Sequence, residues 1–243
     1  MEIDSQKLFE NKLIKLWNEA VKLQIPYADR GFRFPTNLVT DSILFVGINP
    51  SYNKGVSHKA YYNSFYSLNQ QGDNHRYFKK FEDIAIHAAS NWTHIDLFFY
   101  QETAQKSFYE ILENQNGKDF LSQQIQIAKE LITHIQPKLI VVANTLARDL
   151  MLKEHDLGVN FFDFKFNEAL GTYQISDTEL KDTPIFFTSM LTGQRALDNG
   201  SFERLKWHIK KVANLNKYSD EKILQPMCSK CGQIGWKNGY SCN

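Results

Sequence analysis

The sequence predicts an α/β protein with three αβα layers around a central, mainly parallel sheet of four strands. Short apolar runs rich in β-branched and aromatic residues recur along the chain, and amphipathic helical stretches separate them. Strands that alternate with helices pair in parallel through right-handed crossovers. The four expected strands are residues 42–48, 93–99, 139–143 and 184–189.

The first half of the chain predicts two helices and a long loop around the first strand. Residues 5–24 carry apolar side chains at helical spacing, which indicates a helix packed on the sheet. The segment 51–77, directly after the first strand, is polar, punctuated by glycine and rich in tyrosine. Because loops of this length are usually functional or disordered, and aromatic residues argue against disorder, we expect a functional loop. A helix at 77–90 leads into the second strand.

The second half of the chain repeats the alternation of helix and strand. An apolar stripe over residues 121–135 predicts the helix that precedes the third strand. Asn144 or Thr145 is placed to cap the following helix. The Phe-rich stretch 159–175 is expected to form extra strands or a loop, and a last helix is expected near 201–214.

Length and composition predict one large core with a short tail. The chain has 243 residues, of which 42% are hydrophobic and 14% aromatic, so we expect a single domain over residues 1–217 and a tail over 218–243. No apolar run reaches 18 residues, and the amino terminus lacks the basic and apolar pattern of a signal peptide. We therefore expect a cytoplasmic monomer without membrane association.

Three cysteines, Cys228, Cys231 and Cys242, lie together near the carboxyl terminus. Their C-x-x-C spacing is typical of part of a zinc ribbon, but structural zinc takes four ligands and the chain supplies three cysteines. A fourth ligand would have to come from a distant histidine or a second chain. We expect no metal or other cofactor in the catalytic step, and zinc at these cysteines remains open.

The charge distribution is asymmetric although the net charge is only +1. Residues 1–180 hold 18 basic and 22 acidic side chains, whereas residues 181–243 hold 10 and 5. The basic excess includes Lys206 and Lys210 of the expected last helix. A basic surface of this kind is what a phosphate backbone requires, and a solvated helix face is the alternative.

The most informative motif is Gly47-Ile48-Asn49-Pro50, where the first strand ends abruptly. The glycine permits close backbone approach, and Pro50 fixes the exit and keeps Asn49 away from helical angles. Open α/β folds bind their ligands at the carboxyl ends of such strands. The motif therefore predicts that an amide side chain is delivered to a ligand site, although Asn-Pro also occurs in ordinary turns.

This motif resembles the first motif of the uracil-DNA glycosylase superfamily, in the Asn-bearing form of the mismatch-specific and single-strand-selective branches. Ser51 stands where those branches usually have glycine. A second family motif follows the last strand, and residues 184–192 are similar to it at Ser189 and Leu191. Phe187 stands where the family has histidine or asparagine, which departs from the pattern. The resemblance covers roughly residues 40–213.

The resemblance implies a role for each matching residue. Asn49 would orient the attacking water, with Gly47, Ile48 and Pro50 shaping the base pocket. Ser189 would contact a phosphate and Leu191 would serve as the wedge that fills the gap left by an extruded base, with packing in the core as its alternative. Residues that are expected to contact the base or the DNA on weaker grounds are Tyr61, Tyr62 and Phe65 as stacking platforms, His94 and Asp96 at the base edge, Phe187 in the pocket, and Arg195, Lys206 and Lys210 on the DNA backbone.

The function expected from these features is a monofunctional DNA glycosylase that removes an uracil-like, deaminated or modified base after base flipping. His94 and Asp96 share a face of the second strand, where the family often has asparagine, so a donor pattern different from that of uracil is possible. Two alternatives stay open: a noncatalytic nucleic-acid-binding protein of the same fold, and a hydrolase of nucleosides or nucleotides. The absence of G-x-G-x-x-G after a strand disfavours a dinucleotide-dependent oxidoreductase.

Overall fold

The computed structural model describes residues 1–52, 62–68, 77–113, 115–152, 157, 159–176, 179–193 and 196–215. The strands in these ranges are β1 (Glu2–Ile3), β2 (Arg33–Thr36), β3 (Leu38–Val39), β4 (Ile43–Gly47), β5 (Ser64–Ser67), β6 (Trp92–Asp96), β7 (Leu139–Val142), β8 (Phe164–Asn167), β9 (Thr172–Ile175) and β10 (Pro184–Phe187). The helices are α1 (Ser5–Lys22), α2 (Lys79–His87), α3 (Lys106–Leu112), α4 (Gln115–Ile135), α5 (Thr145–Leu152) and α6 (Asn199–Ala213).

The central sheet has six strands in the order β6-β4-β7-β10-β9-β8. The first four pair in parallel, and they are the four strands expected from the sequence. The expectation of a four-stranded sheet is wrong, because the hairpin of β8 and β9 adds two antiparallel strands at one edge. This hairpin lies in the Phe-rich stretch 159–175, for which the sequence allowed strands or a loop.

Alternation along β4 builds a core on each face of the sheet. Leu44 and Val46 point into a cluster that also contains Leu13 of α1 and Leu131 of α4. Residues one position away point to the opposite face, where Phe45 stacks on Phe81 of α2 with 4.4 Å between ring centroids. Burial of each such side chain contributes about 1.5–3 kcal/mol. Helices thus cover both faces, as the three-layer expectation requires.

Two helix boundaries show how local chemistry sets the elements. The side chain of Asp4 accepts a hydrogen bond from the Lys7 amide at 3.1 Å and caps α1. The Asn144 Oδ1 accepts from the amides of Leu146 and Ala147 at 2.9 and 3.1 Å, so the expected cap of α5 is confirmed for Asn144. Placed directly after β7, this cap holds the asparagine at the carboxyl edge of the sheet.

The segment 51–77 contains a strand that the sequence did not predict. β5 pairs in parallel with β2, with Phe65 opposite Phe34 and Tyr66 opposite Pro35. A second small sheet joins β1 and β3 in antiparallel register. Residues 53–61 and 69–76 of the segment, and the tail expected at 218–243, lie outside the described ranges. In the part of the chain that the structure describes, no helix is long and apolar enough to cross a membrane.

Candidate functional site

A cleft of about 770 Å³ opens at the carboxyl ends of the parallel strands. Four neighbouring strands each deliver a residue to it: Asn49 after β4, Asp96 at the end of β6, Asn144 after β7 and Leu191 after β10. We call this space the strand-end cleft. Its further lining side chains come from β2, β5, the start of α2 and the loop before α3, and they include Arg33, Tyr66, Tyr77, Phe78, Phe81, His94, Glu102 and Lys106.

Asn49 is held in one orientation by backbone carbonyl groups. Its Nδ2 donates to the carbonyl oxygens of Glu102 at 2.6 Å, Pro50 at 3.2 Å and Tyr100 at 3.5 Å. Because carbonyl oxygens only accept hydrogen bonds, these contacts assign the amide nitrogen and place Oδ1 on the other side. No donor among the described residues bonds Oδ1. Asn49 lines the cleft, so its fixed amide offers an acceptor for a hydrogen bond from a ligand or a water.

The backbone on both sides of Asn49 is also fixed. The amide of Leu97 donates to the Gly47 carbonyl at 3.2 Å, and the amide of Phe98 donates to the Ile48 carbonyl at 2.9 Å. Both bonds continue the pairing of β4 and β6 beyond the ends of the two strands. Ile48 is buried and joins the core, so the corner formed by Gly47 to Pro50 is rigid, as the motif predicted.

An ion pair behind the corner holds the loop that receives the Asn49 amide. The Arg30 guanidinium pairs with the Glu102 carboxylate, and it lies over the rings of Tyr27 and Tyr52 at 4.6 and 4.2 Å. Burial alone would raise the pKa of Glu102, but Arg30 and the amides of residues 103 and 104 lower it. Glu102 is thus ionised at neutral pH and holds its own backbone carbonyl against Asn49.

Gly47 allows three polar side chains to converge above its Cα. A Cβ at this position would lie 2.2 Å from Asp96 Oδ1, 3.2 Å from His94 Nε2 and 3.3 Å from the Tyr77 hydroxyl. The first distance is a severe clash, so any larger residue would displace the carboxyl group. The glycine of the motif therefore makes room for the polar groups of the cleft.

His94 is buried and neutral. It stacks on Phe81 with 5.6 Å between ring centroids, and the rings of Tyr77 and Phe78 pack edge-on against it. Desolvation lowers the pKa of His94 to about 3. Within the described ranges, neither ring nitrogen has a hydrogen-bond partner.

Asp96 shares the floor of the cleft with His94. Burial raises the pKa of Asp96 to about 7, although the charge of Arg33 pulls it down. His94 Nε2 lies 3.8 Å from Asp96 Oδ1, and because the histidine is neutral this contact is not a salt bridge. Burial and the charge of Asp96 raise the pKa of the Tyr66 and Tyr77 hydroxyls, so both remain protonated.

The structure brings part of the expected site together. Asn49, Ile48, Pro50, His94, Asp96 and Leu191 all line the strand-end cleft, and Gly47 underlies it. Sequence reasoning did not assign Arg33, Tyr66, Tyr77 and Asn144 to the site. Asn144 follows a buried strand just as Asn49 does, so its position after β7 was a usable signal. Arg33 and Tyr66 reach the cleft through the pairing of β2 with β5, for which the sequence gave no signal.

Other expected base-contacting residues lie away from the cleft. Phe65 packs edge-on against Phe32 and Phe34 in the core, so the stacking role proposed for it is not supported by its position. Tyr62 is 40% exposed and does not line the cleft. Phe187 packs against Phe164 and Tyr173, also away from it. Tyr61 lies outside the described residues.

The second motif contributes Met190, Leu191 and Thr192 to the cleft, whereas Ser189 does not line it. The Leu191 side chain is 3% exposed and packs in the cluster that contains Phe202 of α6. This position agrees with the alternative of core packing and leaves the wedge role a prediction. Arg195 lies outside the described residues.

The two lysines expected to bind DNA have different surroundings on α6. Lys206 pairs with Asp83 of α2 and with Glu203, at 3.3 and 2.9 Å, and its ammonium lies over the Phe202 ring. Lys210 is exposed. Of the two, Lys210 is the better placed to meet an anionic partner.

A comparison with protein-family models and a comparison with curated proteins both found no match. Within the described ranges no group of three or more histidine, cysteine, aspartate or glutamate side chains could hold a metal ion. The cysteines Cys228, Cys231 and Cys242 lie outside those ranges. Any functional assignment therefore depends on the chemistry of the strand-end cleft.

Proposed function

We propose that the protein is a monofunctional DNA glycosylase that hydrolyses the N-glycosidic bond of an uracil-like, deaminated or modified base. The observation that carries this proposal is the fixed amide of Asn49, a residue that lines the cleft, whose Nδ2 is bonded to three backbone carbonyl groups while Oδ1 keeps its capacity to accept a hydrogen bond. The resemblance of the Gly47 to Pro50 corner to the glycosylase motif points the same way.

Asn49 suits a hydrolysis in which the bond to the base breaks early. The sugar then carries positive charge, and the water needs to be held in place more than it needs to be deprotonated. An amide oxygen is too weak a base to remove the proton, but it can accept a hydrogen bond and orient the water. The three carbonyl contacts prevent the amide from rotating and so keep the water in one position.

The cleft has the size and walls that an extruded base requires. Its volume of about 770 Å³ lies within the range of small-molecule sites, and the rings of Tyr66 and Tyr77 line it. An enzyme that acts on a base must extrude the nucleotide and fill or tolerate the gap. Leu191 at the cleft would fill the gap, and exposed lysines such as Lys210 would neutralise phosphates.

Abasic-site formation tests the proposal. Oligonucleotides that contain one uracil, hypoxanthine, xanthine, cytosine or bulky modified pyrimidine are incubated with the protein and then treated with alkali. We expect strand cleavage for at least one base, and a loss of roughly 10²-fold or more in Asn49→Ala with binding retained. Asn116→Ala, at an exposed position of α4, serves as the matched control and should behave like the parent.

One observation favours a second candidate, a noncatalytic nucleic-acid-binding protein. Phe187, at the position where the family has histidine or asparagine, packs against Phe164 and Tyr173 and does not line the cleft. Binding of the oligonucleotides without release of any base would support this candidate and refute the glycosylase. Equal cleavage by Asn49→Ala and the parent would refute the role of Asn49 while leaving the activity.

A further inference from the structure

His94 and Asp96 lie side by side in the strand-end cleft and are largely buried. Their side chains are 3% and 8% exposed, and both line the strand-end cleft. Both ring nitrogens of His94 are buried and have no hydrogen-bond partner among the described residues. Buried polar groups are nearly always hydrogen-bonded, because leaving one unsatisfied costs about 1–3 kcal/mol. A ligand that bonds the His94 ring would remove this cost, and the Asp96 carboxyl lies within reach of the same ligand, with its Oδ1 3.8 Å from His94 Nε2.

The donors and acceptors of these two side chains limit the chemical class of ligand that can bind them. A protonated carboxyl group offers one O–H donor next to one carbonyl acceptor, and a neutral imidazole offers one donor and one acceptor. The carboxyl can therefore pair with an amino group beside an unprotonated ring nitrogen, the edge of cytosine and adenine. It can also pair with the N–H and carbonyl edge of uracil and hypoxanthine. The pattern of donors and acceptors does not separate these two edges, but the ring nitrogen of the first edge is more basic than the carbonyl oxygen of the second and accepts the stronger hydrogen bond from the acidic O–H.

The two kinds of base differ in the charge that they carry when they leave the sugar. A ring nitrogen of the cytosine or adenine type is basic enough to take a proton from a carboxylic acid, and the protonated base then leaves as a neutral molecule. Uracil leaves instead as an anion, beside a group that can itself become negative. Negative charges at close range disfavour each other strongly in a buried site. Asp96 thus assists departure of the first kind of base while it is protonated, and it opposes departure of the second kind once it is ionised.

We propose that Asp96 and His94 select a base that carries an exocyclic amino group beside a ring nitrogen, and that Asp96 protonates that nitrogen as the base departs. This proposal rests on the proposed glycosylase function and names its substrate class. The Asp96 proton moves to the ring nitrogen, and the C1′–N bond breaks with its electron pair going to the base. The water oxygen bonds to C1′, the proton that the water loses goes to solvent, and Asp96 is reprotonated from solvent.

The electrostatics of the cleft support this role. Burial raises the pKa of Asp96 to about 7, against the pull of Arg33, so the carboxyl is protonated in slightly acidic solution. The ionisable groups that surround it are Arg33 on β2, Tyr66 on β5, Tyr77 before α2 and His94 on its own strand. Both tyrosines are protonated and His94 is neutral, so Arg33 is the charged group among them at neutral pH. Activity on amino-bearing bases should fall as the pH rises above about 7.

Matched single-base substrates test the selection. Thymine homopolymer strands that carry one central cytosine, uracil, adenine or hypoxanthine differ within each pair by the amino group. We expect the parent to release cytosine at least 10-fold faster than uracil at pH 6, and the rate of cytosine release should fall as the pH rises through 7. Asp96→Asn should remove the preference, because an amide can pair with either edge and donates no acidic proton. Asp29→Asn, at an exposed position, is the control.

A binding measurement separates the proposed glycosylase activity from the proposed base selection. Fluorescence anisotropy measures the affinity of Asn49→Ala for the same strands. Faster release of uracil than of cytosine, unchanged in Asp96→Asn, would overturn the selection while keeping the glycosylase. No release of any base, with tighter binding of cytosine strands that Asp96→Asn abolishes, would overturn the glycosylase and keep the recognition. Neither release nor a preference in binding would overturn both.

Discussion

Replacing Asp96 with asparagine should change how the stability of the protein depends on pH. Burial raises the pKa of this carboxyl from 3.8 to about 7, with Arg33 opposing the rise. The unfolded chain titrates at the ordinary value, so the folded protein binds one more proton between these two pH values. The stability that protonated Asp96 contributes is therefore complete below about 3.8 and is lost as the pH rises to about 7.

The shift sets the size of the effect. One unit of pKa shift corresponds to about 1.4 kcal/mol, so a shift from 3.8 to about 7 corresponds to at most about 4 kcal/mol. Asparagine has nearly the same shape and does not titrate. The free energy of unfolding of Asp96→Asn, relative to the parent, should therefore rise by up to about 4 kcal/mol between pH 4 and pH 8.

Urea denaturation at half-unit steps of pH from 4 to 8 measures this difference. The parent alone would not show it clearly, because His94 has the opposite effect. Burial lowers the pKa of His94 to about 3, so its contribution is complete above about 6.5 and is lost as the pH falls towards 3. Subtracting the free energy of unfolding of the parent from that of the variant at each pH cancels the contribution of His94. The same difference for the control Asp29→Asn should be independent of pH and near zero. A constant difference for Asp96→Asn, or one that falls with pH, would show that Arg33 keeps the carboxylate ionised.

Five further variants test the rest of the site. Gly47→Ala should lower the free energy of unfolding by about 1–3 kcal/mol and abolish the cytosine preference, because the added Cβ would lie 2.2 Å from Asp96 Oδ1. An unchanged preference would contradict this geometry. Glu102→Gln should lower the rate of base release more than the affinity measured by anisotropy, since it loosens the loop that holds the Asn49 amide. Leu191→Ala should lower the free energy of unfolding by about 2–5 kcal/mol and reduce base release from duplexes more than from single strands. Equal losses of activity on the two substrates would mean that Leu191 serves core packing alone. Lys210→Gln should reduce the slope of log affinity against log salt by about 0.9, and Lys206→Gln by less, because two carboxylates already bind its ammonium.

The local sequence pattern was sufficient to predict the parallel strands of the central sheet. Apolar runs between helical stretches identified β4, β6, β7 and β10, and these strands pair in parallel. The hairpin of β8 and β9 was less certain, because each strand has four residues and is only partly buried, and β8 lies at the edge of the sheet, where the need for apolar residues is relaxed. β5 was missed because it is four residues long and pairs with a strand about 30 residues away. Its stability comes from that pairing and not from its own sequence.

The sequence by itself determined the corner at Gly47 to Pro50 and the presence of an amide at the end of a buried strand. Glycine and proline act on the backbone locally, so their effect can be read without the rest of the molecule. Only the tertiary structure decided which side chains meet that amide. Tyr66 lines the cleft and Phe65 enters the core because neighbouring strand residues point to opposite faces, and the pairing of β5 with β2 fixed which residue faces which way. The unusual ionisation of Asp96 likewise follows from burial, a property of the assembled fold that no short stretch of sequence contains.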